Sequence, residues 1–113
     1  MTEKQNNLQS KLGELREKEA EDFARMLADK YGVPYSDLSR VTIDLDALKI
    51  IGQADAEAGK IAVFQKTARR LQVGVFNPEL TKTKEVLDTL KRKGFAVELF
   101  LVSEPSLERA WSR

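Results

Sequence analysis

Lys66, Arg69 and Arg70 crowd three cations into one short polar stretch, with Lys60 upstream and Lys82 and Lys84 downstream. Guanidinium forks grip phosphate or carboxylate oxygens in pairs and an ammonium adds a mobile point charge, so such a cluster could hold a phosphorylated ligand or an acidic surface. The same residues equally describe a solvated loop. Two carboxylate pairs, Asp44 with Asp46 and Asp55 with Glu57, have the composition of a general acid and base. That chemistry needs burial to raise one pKa, and both pairs lie in polar surroundings where helix capping is the simpler role. Gly59-Lys60 invites comparison with a phosphate-binding loop. Such a loop needs a glycine five residues earlier and a hydroxyl after the lysine, but Ala54 and Ile61 stand there.

The chain contains no cysteine and no histidine. Thiolate and imidazole metal sites, cysteine nucleophiles and histidine triads are thereby removed, so no catalytic residue, metal or cofactor is expected. With a net charge of +1 there is no global electrostatic case for nucleic acid or anionic lipid. A length of 113 residues allows one core, and 42% hydrophobic with 33% charged residues is the composition of a globular domain. No apolar run approaches the ~20 residues of a membrane-spanning helix. Met1 to Asn7 is polar and unlike a secretory signal, so a cytoplasmic location is expected.

These side chains must be positioned by a hairpin, a helix and a last strand between Lys60 and Val102. Ile61, Val63 and Phe64 form one β-rich run and Leu71, Val73, Val75 and Phe76 a second, separated by a polar loop from Gln65 to Arg70. Period-2 spacing on both sides of a short loop predicts an antiparallel hairpin. Asn77-Pro78 stops the ladder, a helix begins near Thr81 with Val86, Leu87 and Leu90 on one face, and Gly94 closes it. Phe95 to Val102 is the most strand-like run, apolar except at Glu98. A strand, helix and strand of these lengths predict a parallel crossover. The expected fold is a small two-layer α/β (α+β) domain, a mixed sheet of three to four strands with helices packed on it.

Upstream, Leu8, Leu12 and Leu15, then Ala20, Phe23, Leu27 and Tyr31, mark helical stripes interrupted by a charged turn at Arg16 to Asp22. One continuous helix and an N-terminal arm (1–16) joined to a docked helix of the main domain (17–113) both satisfy the pattern. Gly32 ends the helix, and Val33-Pro34-Tyr35 predicts an edge strand or strap. Asp44 is a suitable N-cap for a short helix turning Leu45, Leu48 and Ile51 inward, with a further turn over Ala54 to Ala58 before Gly59 releases the chain. Ser103 caps a terminal helix with Pro105 in its first turn and Leu107, Ala110 and Trp111 on its apolar face. Trp111 is read as a core residue or as packing against something absent.

From about Glu19 to Arg113 the sequence resembles the N-terminal domain of the type II secretion and type IV pilus assembly ATPases. The resemblance rests on Leu27-Ala28-Asp29-Lys30-Tyr31-Gly32-Val33-Pro34-Tyr35 with Asp37-Leu38, and on the Ile43 to Ile51 segment and the Ile61 to Phe64 strand. It continues through Leu71-Gln72-Val73-Gly74-Val75-Phe76-Asn77-Pro78, the Phe95 to Val102 strand and the Ser103 to Trp111 helix. Many members carry proline where this chain has Gly52. Some bind cyclic di-GMP through a motif opening Arg-Leu-Gly; Lys11-Leu12-Gly13 is similar to its start, but Arg16, Ala20 and Pro34 replace its later leucine, glycine and glutamine, so no nucleotide residues are carried over.

The resemblance implies a non-catalytic docking or adaptor domain linking a motor to the inner-membrane platform, with the motor expected after Arg113. Its partners would be the cytoplasmic region of an inner-membrane assembly protein and the ATPase domain of the parent chain, without nucleic acid or direct membrane insertion. The location would be cytoplasmic, peripheral to the inner membrane through that partner. The expected partner-binding residues are Leu8, Leu12, Leu15, Phe23 and Leu27, since an apolar stripe with no internal partner suits a helix-in-groove contact. The alternative function is a ligand-sensing module in which Lys66, Arg69 and Arg70 hold a nucleotide such as cyclic di-GMP.

Overall fold

The computed structural model describes the backbone of residues 2–113 and the side chains of residues 16–113. The first element, α1 (Thr2–Tyr31), is a helix. Gly32 ends it at φ +65°, where a side chain would be strained, and the Val33 and Gly32 amides turn back to the carbonyls of Ala28 and Asp29. The chain then straps along the sheet: Leu101 donates to the Pro34 carbonyl at 2.7 Å and Ser36 donates to the Leu101 carbonyl at 3.0 Å.

Next come α2 (Leu45–Leu48) and α3 (Gln53–Gly59). The Asp44 carboxylate accepts from the amides of Asp46 and Ala47, the capping role its position predicts. Leu45 departs from expectation: it is 54% exposed and Ala47 is buried, whereas Ile51 is buried as its spacing predicts. A helix of one turn cannot carry Leu45, Leu48 and Ile51 on one face for long, and the chain turns at Ile50 before that stripe is complete. Gly59 is still helical and tightly packed; the release falls to Lys60, in the left-handed region at φ 47° and ψ 57°.

The hairpin pairs β1 (Ile61–Thr67) with β2 (Arg70–Val75) in antiparallel register from Ile61 opposite Val75 to Thr67 opposite Arg70. Its loop is only Ala68 and Arg69, shorter than the polar span Gln65 to Arg70 predicted, because the hairpin tip projects into solvent and polar residues can pair there. A bulge between Val63 and Gln65 leaves Phe64 without a register partner. After Asn77-Pro78, α4 (Thr81–Arg92) crosses to β3 (Ala96–Leu101), which pairs parallel to β2. Gly94 closes α4 at φ +89°, with Phe95 N donating to Leu90 O and Gly94 N to Lys91 O. The last helix, α5 (Glu104–Trp111), is capped by Ser103 Oγ. The sheet order is β1-β2-β3, a mixed three-stranded sheet in an α+β fold.

Alternation along the strands sends side chains to two apolar faces. On one face Ile61, Val63, Leu71 and Val73 pack with Ala56 of α3 and with Val86, Leu87 and Leu90 of α4. On the other, Ala62, Phe64 and Val102 pack with Leu38 and with Leu107 and Ala110 of α5. α1 lies at the β3 side, where Ala24, Leu27 and Ala28 close over Leu101. Helices thus cover both faces, and α1 is left with an outer side that no strand touches.

Candidate docking surface

That outer side begins with Phe23, whose side chain lies on the same helix as the buried Ala24 but is 45% exposed. Its ring centroid stands 6.2 Å from that of Phe76, the residue following β2. Between α1 and α5 runs an open groove of about 570 Å³, with Ala20, Phe23, Phe76 and Pro105 along it and Arg16, Glu19, Glu104 and Glu108 around it. Met26, one turn along from Phe23, is 57% exposed.

Polar contacts around this groove tie α1 to α5 and to the strap. Arg109 Nη2 of α5 reaches Glu17 Oε1 of α1 at 2.9 Å. Lys60 Nζ pairs with Glu104 Oε1 at 2.7 Å while lying 4.8 Å from the centre of the Phe76 ring. On the strap side the Tyr35 hydroxyl donates to Glu21 Oε1, and the Arg25 guanidinium sits 4.8 Å over the Tyr35 ring. Burial, the hydrogen bond to Glu21 and the negative charges of Glu21 and Asp37 raise the Tyr35 pKa, outweighing Arg25, so the phenol stays protonated as a donor.

Of the expected partner-binding residues, the side chains of Leu8, Leu12 and Leu15 lie outside the described ones. Phe23 is at the surface. Leu27 is 7% exposed and packed against Leu101, so its side chain serves the core and offers no docking area. Met26 and Phe76 were missed. Met26 had a signal in its spacing from Phe23, whereas the meeting of Phe23 with Phe76 depends on how α1 crosses the sheet.

The cation cluster is divided by the fold. Lys66 and Arg69 lie 6.0 and 5.4 Å from the centre of the Phe95 ring, and Arg69 Nη1 also reaches the Lys93 carbonyl at 3.5 Å. Arg70 faces the opposite side of the sheet, in a cleft with Thr67, Gln72 and Glu98. Lys60 is at the other end of β1, about 20 Å away along the strand. Lys82 pairs with Asp55 at 3.3 Å and Lys84 with Glu79 at 3.5 Å. The arrangement does not converge the cations on one anion. Among the described residues no group of three acidic side chains is placed to hold a metal, and no helix is long and apolar enough to cross a membrane.

No protein-family model and no curated protein matches the chain. Solved structures share its fold, among them the following two. A structure of MshE with cdg superimposes with a TM-score of 0.71 at 23% identity, over 80% of this chain and 65% of that one. The N-terminal domain of XpsE superimposes with a TM-score of 0.65 at 13% identity, over 92% of this chain and 84% of that one. The chain has the fold of the N-terminal domains of type II secretion and type IV pilus assembly ATPases, and it spans 65% of the length of the MshE chain.

Proposed function

We propose that the chain is a docking domain of a type II secretion or type IV pilus assembly ATPase, linking the motor to the cytoplasmic region of an inner-membrane assembly protein without catalysing a reaction itself. The observation that carries this reading is the exposed Phe23 beside Phe76 at the groove between α1 and α5. An aromatic pair formed between a helix anchored to the sheet by its other side and the residue that follows β2 is a preformed hot spot: a partner helix would bury it without first ordering it. The acidic and basic side chains around the groove would set register and suppress wrong partners. In this role the domain works in the cytoplasm, held near the inner membrane through the partner.

The test is a pull-down and calorimetric titration with the cytoplasmic region of the cognate assembly protein. Phe23→Asp should weaken binding at least tenfold while the protein stays folded, the lost contact with Phe76 costing about 1–2 kcal/mol of stability. Leu12→Asp is the companion variant for the N-terminal part of α1. Undiminished binding by both variants would move the interface elsewhere.

The second reading is a ligand-sensing module, favoured by the MshE fold-mate solved with cdg. Calorimetry with cyclic di-GMP separates the two: a saturable heat supports sensing, and no heat leaves docking.

A further inference from the structure

A second concavity, on the far side of α5 from the docking groove, has a different chemistry. It is a cleft of about 480 Å³, within the size range of small-ligand sites. Its floor is Ala62 and Val63 of β1, and its walls come from Leu48, Ile51, Ala56 and Ala110. Three of these residues are alanines, so small side chains leave the space open. Trp111 forms a wall and is held there by its Nε1 bond to the Ile61 carbonyl at 3.1 Å. Leu45, the residue that fails to turn inward, lines the same cleft with half its surface unburied.

The charged side chains lining the cleft are Lys49 and Arg113, with no carboxylate side chain among its lining residues. Among the described residues neither takes part in a salt bridge. An apolar chamber whose charged side chains are both cationic complements a molecule with an apolar tail and an anionic head. We infer that this cleft binds a free medium-chain carboxylate, its alkyl chain against Leu48, Ile51 and Trp111 and its head group near Lys49. This goes beyond the docking role and uses other residues.

Two competing occupants fit less well. An extended peptide would pair with the outer edge of β1, but the Ile61 carbonyl is already taken by Trp111 and the Phe64 carbonyl by the Asp44 amide at 2.9 Å. A membrane surface is recognised by four to eight clustered cations on a convex or flat face, whereas two cations here border a concavity.

Trp111 is the single tryptophan, so its emission reports occupancy directly. Titration with hexanoate, octanoate and decanoate below their micelle concentrations should give a saturable emission change with one site per chain. Affinity should rise about threefold to fourfold per methylene. Lys49→Glu should weaken decanoate at least fivefold and leave 1-decanol unchanged. Gly52 lines the cleft, a Cβ there meets nothing within 4 Å, and its φ of −59° suits any residue, so Gly52→Leu should obstruct the cleft without strain and abolish the signal. No emission change with decanoate at millimolar concentration, or equal binding by the Gly52→Leu protein, would overturn the assignment. Binding to phosphatidylglycerol vesicles that survives Gly52→Leu, with no response to free decanoate, would assign the cations to a lipid surface instead.

Discussion

The indole Nε1 of Trp111 donates to the backbone carbonyl of Ile61 at 3.1 Å, tying the last helix to the first residue of the first strand. The ring also packs at the margin of both apolar clusters. Trp111→Phe keeps most of the packing and removes the donor, so it should cost about 1 kcal/mol. Trp111→Ala removes both and should cost about 3 kcal/mol. Urea denaturation of the two variants measures the difference.

A Cβ on Gly74 would stand 3.0 Å from both Val102 methyl carbons, closer than packed carbons tolerate. Both positions lie in the layer beneath α5, where Val102 is fully buried. Gly74→Ala should therefore destabilise by about 1–3 kcal/mol. In a double-mutant cycle, adding Val102→Ala should cost less on the Gly74→Ala background than alone, because the truncation makes room for the new methyl.

Ala68 occupies the first position of the two-residue hairpin loop with φ at +55°, a region that costs a side chain about 1–2 kcal/mol. Glycine relieves that strain but adds freedom to the unfolded chain worth about 0.5–1 kcal/mol. The net expectation for Ala68→Gly is a gain of about 0.5 kcal/mol, read as a higher thermal midpoint.

Asp37 accepts from the Ser39 hydroxyl at 2.7 Å and the Ser39 amide at 3.0 Å, with Arg40 Nε at 3.8 Å. Burial alone would raise its pKa, but these hydrogen bonds and the charges of Arg40 and Arg109 together hold the carboxyl below its ordinary value of 3.8. Because the folded pKa is depressed, the associated stability is fully present above the unfolded value and is lost as pH falls through the folded one. Denaturation midpoints measured between about pH 5 and pH 2 should fall more steeply for the parent protein than for Asp37→Asn.

Elements with several agreeing signals were legible in the chain. Val86, Leu87 and Leu90 with Gly94 defined α4 because periodicity and termination pointed to the same boundaries. The strap at Val33-Pro34-Tyr35 and the cap at Asp44 followed from backbone chemistry that tertiary packing did not override. The hairpin was visible but its loop was not, since Lys66 and Thr67 are polar and still pair with Leu71 and Arg70 beyond the reach of the helices. The surface features were the least visible. Lys66 and Arg70 sit close in sequence yet on opposite faces of the hairpin, while Phe23 and Phe76, far apart in sequence, meet at the groove between α1 and α5.

Each margin of the sheet has backbone groups taken by the chain's own residues. At β1 the Ile61 and Phe64 carbonyls are taken by Trp111 and Asp44, and at β3 the amide and carbonyl of Leu101 are taken by the strap. A foreign strand seeking to zip onto either border would run out of free donors and acceptors within a few residues. Copies of the domain can therefore be crowded together without fusing into a continuous ribbon.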